Sequence, residues 1–224
     1  MSIRVGLICE GSHDFLVLRE IVGQIIREFG EVVERVDCIQ PEMSATFQVG
    51  TGGWSQVKAW CERDGGQWYR RFLDKPIFAT SPSYDLLVIH LDGDVVEHCT
   101  HPPLANMNLQ GMAVQEIVDA LKAAILNHWL SPDPSYVQRI VACVPVRHLE
   151  AWLASVVGPA VPNLEEVDMK DSFRGGPISA VKGDWVKRYS QAAQQTCKRL
   201  EEVRAACISF ATFEAELREA AEAA

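Results

Sequence analysis

One short apolar segment limits the possible folds of this chain more than any other part of the sequence. Residues 85–91 (DLLVIHL) run without a break into Asp92-Gly93-Asp94. A run of this length, rich in branched aliphatic side chains and followed by a turn sequence, predicts a β-strand. The chain must therefore fold around a strand that delivers two aspartates to its carboxyl end.

Similar strand-like segments recur along the chain and are separated by helical ones. The strand-like segments are 3–9, 31–39 and 138–145, and apolar residues at helical spacing mark 15–29, 54–74, 112–130 and 147–157. This alternation implies parallel strands joined by crossover helices, an α/β fold. We expect a central, mostly parallel sheet flanked by helices, with two further helices at 185–207 and 212–223.

The composition is that of a globular protein throughout. The chain has 224 residues, of which 48% are hydrophobic, enough for one good-sized core. We expect an α/β domain over 1–157 with an insert at about 41–82. A loop and helical extension over 158–224 is expected to pack on the same domain.

Charge and cysteine content bear on partners and compartment. A formal charge of -9 argues mildly against a protein that grips nucleic acid by bulk positive charge, although a cluster of metal-binding acids also makes the count negative. No apolar run approaches the roughly 20 residues needed to span a membrane, and the start of the sequence lacks a signal-peptide pattern. Seven cysteines without a CxxC pair favour a reducing, cytoplasmic compartment.

Acidic side chains follow two of the predicted strands at the point where each strand ends. Glu10 ends the first strand, and Asp92 and Asp94 end the strand described above. In open α/β sheets, ligands bind beyond the carboxyl ends of the strands, so these acids are expected to meet if the two strands are neighbours. Alternate residues point the same way, and Gly93 eases a tight turn between the aspartates. The acids predict a site for Mg²⁺, or Mn²⁺, although DGD alone is also a common turn sequence.

At this point the sequence resembles the Toprim superfamily, whose fold is shared by topoisomerases, primases, OLD-family nucleases and small ribosomal-RNA maturation nucleases. The resemblance lies in LICEGSHDFLVL (7–18) and LLVIHLDGD (86–94), a strand ending in Glu-Gly and a later strand ending in DxD. It implies a Toprim-like Rossmannoid fold. It also implies that Glu10 is the general acid or base, or a further metal ligand, and that Asp92 and Asp94 bind Mg²⁺. Asp14 would support the site from the first helical turn.

A third stretch, VPVRHLEAWLAS (144–155), resembles the E-A-W segment of uncharacterised bacterial Toprim-like families linked to phage defence. The resemblance makes Glu150 a candidate fourth catalytic acid. An acid in the first turn of a helix also simply complements the helix dipole, so the structural interpretation stays open.

Basic residues near these motifs are candidate contacts for nucleic acid. They are Arg147 and His148 beside Glu150, and Arg174 and Lys182 in a glycine-containing loop. Each is also compatible with an ordinary solvated surface. A zinc cluster of His98, Cys99 and His101 is a weaker alternative, because no second ligand pair follows at usable spacing.

Two function hypotheses from different classes rank above a third, a nucleotide-sugar transferase or a phosphatase that uses the DGD aspartates. The first is a Mg²⁺-dependent Toprim-type nuclease that hydrolyses phosphodiester bonds in DNA or RNA, in antiviral or mobile-element defence as the resemblance implies. The second is a Toprim-like interaction or regulatory subunit of a defence complex, without catalysis of its own. Such a subunit would bind a protein partner such as an ATPase, and either protein can be a homo-oligomer. The acidic composition slightly favours the second hypothesis.

Overall fold

The computed structural model describes residues 2–42, 52–74, 83–105, 107–158, 160–170 and 185–224. Its centre is a sheet built from strands β1 (Ser2–Ile8), β2 (Val32–Gln40), β3 (Leu86–His90) and β4 (Ile140–Cys143). The four strands are all parallel and lie in the order β2-β1-β3-β4. The predicted α/β architecture, with a parallel sheet flanked by helices and followed by further helices, is therefore confirmed.

Helices connect and cover the strands. In chain order they are α1 (Ser12–Glu28), α2 (Trp54–Gly66), α3 (Arg70–Leu73), α4 (Val95–His98), α5 (Val114–Ala123), α6 (Glu150–Val157), α7 (Trp185–Cys197), α8 (Leu200–Ala206) and α9 (Ile208–Ala223). Helix α5 continues into a π-helical segment, Ala124–Leu130. Short 3-10 turns lie at Val137–Arg139 and Leu164–Glu166. None of the helices in the described part of the chain is long and apolar enough to cross a membrane.

The sheet is buried on both faces, and the alternation of side chains along β3 divides the core in two. Leu86 and Val88 pack with α1, α6 and the C-terminal helices α7, α8 and α9. Leu87 and Ile89 pack with α2, α3 and α5 on the opposite face. Covering both faces explains why β3 reads as a continuous apolar run rather than as an alternating one.

The C-terminal part differs from the prediction of two helices, because the described residues form three. The first predicted helix breaks at Arg199, whose backbone leaves the helical region (φ -137, ψ 36). There the Arg199 guanidinium donates to the backbone oxygen of Val156 at the end of α6 (3.0 Å). The extended backbone of Cys207 then separates α8 from α9. The break accompanies a tertiary contact that helical periodicity does not encode.

The predicted insert at 41–82 lies only partly within the described residues. Its central part, 52–74, contains α2 and α3. Helix α2 is interrupted near its end, because Arg63, Asp64 and Gly65 all have non-helical backbone angles. The division of the chain at 157/158 stays a prediction, although α7, α8 and α9 share one hydrophobic cluster with β1 and α1.

A buried polar chain fastens the last helix to α6. Trp152 Nε1 donates to Ser209 Oγ (2.8 Å), and the Ser209 hydroxyl donates to the carboxylate of Glu165. That carboxylate also accepts from the backbone N–H groups of Ile208 (2.6 Å) and Ser209 (3.0 Å) at the start of α9. Phe210 and Phe213 pack on the indole of Trp152. Trp152, the tryptophan of the E-A-W segment, therefore has a structural role in this fold.

This polar chain yields a prediction about stability. Glu165→Ala should lower the free energy of unfolding by about 2 kcal/mol, because two backbone donors and a buried hydroxyl lose their acceptor. Urea unfolding followed by circular dichroism measures the change. Glu166→Ala is the matched control, since Glu166 is the exposed neighbour. Equal effects of the two substitutions would contradict the role assigned to Glu165.

Candidate metal centre

The predicted acids meet at the carboxyl edge of the sheet. Strands β1 and β3 are hydrogen-bonded neighbours, and the helices that follow them cover opposite faces of the sheet. This divergence makes their carboxyl ends a topological switch point, where α/β sheets form ligand crevices. Glu10 follows β1 and Asp92 follows β3, and the backbone N–H of Asp92 donates to Glu10 Oε1 (2.7 Å).

Backbone hydrogen bonds hold the DGD turn against the segment that follows β4. Gly93 N donates to Pro145 O (3.1 Å), and Asp94 N donates to Arg147 O (3.3 Å). A Cβ on Gly93 would lie 1.8 Å from the backbone oxygen of Val146, so only glycine fits here. The close approach brings the residues after β4 beside the two aspartates.

The contact between the DGD turn and the segment after β4 places His148 beside the two aspartates. Its imidazole is buried, and Nδ1 lies 3.6 Å from Asp92 Oδ2 and 3.5 Å from Asp94 Oδ2. Within the described ranges, Asp92, Asp94 and His148 form the one group of His, Cys, Asp or Glu side chains compact enough to hold a metal ion, with ligand atoms within 4.8 Å of one another. Asp92 Oδ1 also accepts from the backbone N–H of Leu149 (3.1 Å).

This arrangement refines the predicted ligand set. Asp92 and Asp94 lie together as predicted, and His148, considered from sequence as a nucleic-acid contact, is buried between them. Glu10 is not in the compact group, because its carboxylate is turned to the Asp92 N–H. The sequence pattern could have indicated His148 as a ligand, because this residue follows β4, a third parallel strand that ends at the same edge of the sheet.

Asp92 is almost fully buried, and cationic groups surround it. His90 Nε2 lies 3.2 Å from Asp92 Oδ1, and Lys170 Nζ lies 3.7 Å from Asp92 Oδ2. Burial alone would raise the pKa of Asp92, but contacts with His148 and His90 outweigh it and hold that pKa well below its usual range. Asp92 is therefore an anion at neutral pH. His90, the last residue of β3, is both fully buried and part of this site.

The other acids of the site hold their protons more tightly. Burial, reinforced by the charge of Asp92, raises the pKa of Glu10 to about 8. Burial also raises the pKa of Asp14 to about 7, although His90 opposes the shift. Near neutral pH, Glu10 and Asp14 therefore exchange protons readily, as a general acid or base must.

Glu150 lies at the start of α6. Its side chain is buried, and Oε1 accepts a hydrogen bond from the Tyr189 hydroxyl on α7 (2.6 Å). The ring of Tyr189 in turn contacts the imidazole of His13, with centroids 4.9 Å apart. Glu150 thus joins α6 to α7, and its catalytic role stays a prediction.

Of the other predicted nucleic-acid contacts, only Arg147 lies within the described residues. Arg147 lies near the site and forms an ion pair with Glu97 (2.5 Å). Arg174 and Lys182 lie outside the described residues. The weaker zinc alternative gains no support from the described part of the chain, where the compact ligand group does not include His98, Cys99 or His101.

Comparison with protein families, with curated proteins and with solved structures finds no match. The Toprim resemblance therefore depends on the motifs in the sequence and stays a prediction.

The close approach at Gly93 predicts a sharp response to a single methyl group. Gly93→Ala should lower the free energy of unfolding by about 3 kcal/mol, because the added Cβ forces two backbone segments apart. Thermal or urea unfolding measures this change. Gly23→Ala on α1 is the matched control, since the nearest atoms there belong to the flexible end of Arg27. A Gly93→Ala protein as stable as the control would contradict the geometry.

The raised pKa of Glu10 predicts a dependence of stability on pH in the presence of a chelator. Between the ordinary pKa of 4.5 and the folded pKa of about 8, the unfolded chain loses a proton that the folded chain keeps. Stability should therefore fall as pH rises through this window, by up to about 1.4 kcal/mol per pH unit from this group.

Glu10→Gln should flatten this slope, because glutamine does not titrate and can still accept the Asp92 N–H bond. Urea unfolding at a series of pH values measures the slope. Glu219→Gln, on the exposed side of α9, is the control and should leave it unchanged. Parallel slopes for the wild type and Glu10→Gln would contradict the raised pKa.

Proposed function

We propose that this protein is a metal-dependent, Toprim-type nuclease that hydrolyses phosphodiester bonds in DNA or RNA. The observation that carries the proposal is the convergence of Asp92, Asp94 and His148, next to Glu10, at the switch point of a parallel sheet. The sequence resemblance supplies the reaction class, and the geometry supports it by bringing the acids of two separate motifs into contact.

The side chains present fit a small divalent cation. Two carboxylates are the hard oxygen ligands that Mg²⁺ and Mn²⁺ prefer, and an imidazole adds a nitrogen ligand better suited to a transition metal. Asp92, Asp94 and His148 would hold the ion, and we propose Mg²⁺ or Mn²⁺. When bound, the cation would neutralise charge on a phosphoryl group.

The protein's own residues would manage the proton and orient the phosphate. Glu10 carries a carboxyl whose pKa of about 8 suits proton transfer near neutral pH, from a water molecule or to the leaving oxygen. When ionised, Asp14 on the first turn of α1 adds to burial and to the charge of Asp92 in raising the pKa of Glu10. Lys170 places an ammonium group at the edge of the cluster, where a phosphate oxygen can accept from it.

A second candidate function has one specific observation in its favour. Lys170 and His90, whose pKa is raised to about 9 by Asp92 against the effect of burial, already place positive charge beside Asp92, and the imidazole of His148 lies next to them. A site neutralised in this way can persist as a structural element of an interaction or regulatory subunit, bound to a partner such as an ATPase. A role in antiviral or mobile-element defence, for either candidate, rests on the sequence resemblance.

A cleavage assay separates the two candidates. Purified protein is incubated with plasmid, single-stranded DNA and total RNA, with Mg²⁺, with Mn²⁺, or with chelator. We expect cleavage that requires metal and falls at least about 100-fold in both Asp92→Ala and Glu10→Gln, since one loses a ligand and the other the titrating carboxyl. Asp119→Ala, exposed on α5, is the control and should cut normally.

Calorimetric titration with Mn²⁺ tests the metal site independently of activity. Wild-type protein should bind Mn²⁺ more tightly than His148→Ala, because the imidazole supplies one of the ligands. Binding of Mn²⁺ without any cleavage would favour the regulatory subunit. The absence of both would remove the nuclease proposal.

A further inference from the structure

A cavity of about 670 Å³ opens beside the candidate metal centre. Val96, Ile117 and Val146 contribute apolar side chains to its lining. The thioether side chains of Met107 and Met112 add to its walls. A volume of this size falls within the range of pockets that enclose small organic ligands.

The cavity and the metal centre are built from the same two loops. Val96 lies on α4, two residues after Asp94, and Arg147 immediately precedes His148. The backbone oxygen of Arg147 also accepts from Asp94 N (3.3 Å). A molecule whose phosphate reaches Asp92 and Asp94 would therefore have its adjoining groups next to this cavity.

The lining suits a flat, aromatic and polar group. Methionine sulfur makes favourable contacts with aromatic rings, and flexible thioethers adapt to different ring shapes. Carboxamides at the rim, Asn108 and Gln110, can donate to and accept from the edge of a heterocycle. Asn108 Oδ1 accepts from the backbone N–H of Gln110 (3.0 Å), which fixes the orientation of that amide.

Arg147 stands at the border between the cavity and the metal centre. Its guanidinium pairs with Glu97 (2.5 Å) at the rim of the cavity. Its Nε is buried and has no hydrogen-bond partner within the described residues. A planar cation in this position can stack on an aromatic ring or bind a phosphate oxygen.

We infer that this cavity, the base pocket, binds the nucleobase of a nucleotide adjoining the phosphate at the metal centre. The inference rests on the proposed function and deepens it, since it makes the substrate a strand with an unpaired base rather than an intact duplex. A base stacked inside a duplex cannot enter such a pocket, whereas a single-stranded base can.

Methyl NMR of methionine tests the base pocket directly. The full chain is labelled with ¹³C at the methionine methyl groups, and the Met107 and Met112 signals are assigned with Met107→Leu and Met112→Leu. Met169, the neighbour of Lys170, reports on the metal centre. Wild-type and Glu10→Gln proteins are titrated, with Mg²⁺ present, with a short oligothymidylate and with an abasic oligonucleotide of equal length.

We expect oligothymidylate to shift the Met107, Met112 and Met169 signals, and the abasic chain to shift that of Met169 alone. Equal shifts of Met107 and Met112 with both ligands would overturn the inference, as would their lack of response to oligothymidylate. In the second case an apolar group of a protein partner becomes the better candidate occupant. Base-dependent shifts in a protein that cuts nothing would keep the base pocket and remove the proposed reaction.

A paired substitution gives a second measure. Asn108→Ala with Gln110→Ala should weaken oligothymidylate binding by about tenfold, the equivalent of one to two lost hydrogen bonds, and leave binding of the abasic chain unchanged. Asn127→Ala with Gln195→Ala removes two exposed carboxamides elsewhere and is the matched control. Equal weakening for both oligonucleotides would contradict base recognition by these residues.

Discussion

The buried carboxylate of Asp92 is the constraint on which the rest of the site depends. An isolated ion in a protein interior is strongly unfavourable unless hydrogen bonds and opposite charges compensate it. Asp92 obtains both, from the Leu149 N–H and from the charges of His90 and Lys170, and the imidazole of His148 lies 3.6 Å from its Oδ2. These partners come from β3, from the segment after β4 and from the segment before α7. Neutralising one side chain therefore requires that distant parts of the chain are correctly placed.

The C-terminal helices contribute to the site through the position of α6. Glu165 caps the start of α9, and Ser209 joins that cap to Trp152 on α6. The Tyr189 hydroxyl holds Glu150, two residues before Trp152 in the first turn of the same helix. Together these bonds fix the helix that follows His148, so residues far from the acidic motifs support the position of a candidate ligand.

A feature of the site could be predicted from sequence when it depends on a recognisable strand, and could not when it depends on contacts between distant segments. Glu10, Asp92 and Asp94 were predictable as neighbours, because each follows a recognisable strand and parallel strands end at one edge. His148 entered the predictions with another role, since its contact with both aspartates depends on the close approach of Val146 to Gly93. Lys170 and His90 belong to the site only through tertiary packing. The break at Arg199 was likewise missed, because the bond from Arg199 to Val156 O joins separate helices.

The backbone hydrogen bonds at the DGD turn bear on which metal ion the proposed site would accept. The hydrogen bonds from Leu91 N to Cys143 O, Gly93 N to Pro145 O and Asp94 N to Arg147 O continue the pairing of β3 and β4 past the strands. The aspartates are thus carried on an extension of the sheet and share its stiffness. In the proposed metal site, such a frame would select an ion by its radius, and Ca²⁺, which takes more ligands at longer distances than Mg²⁺, would fit less well.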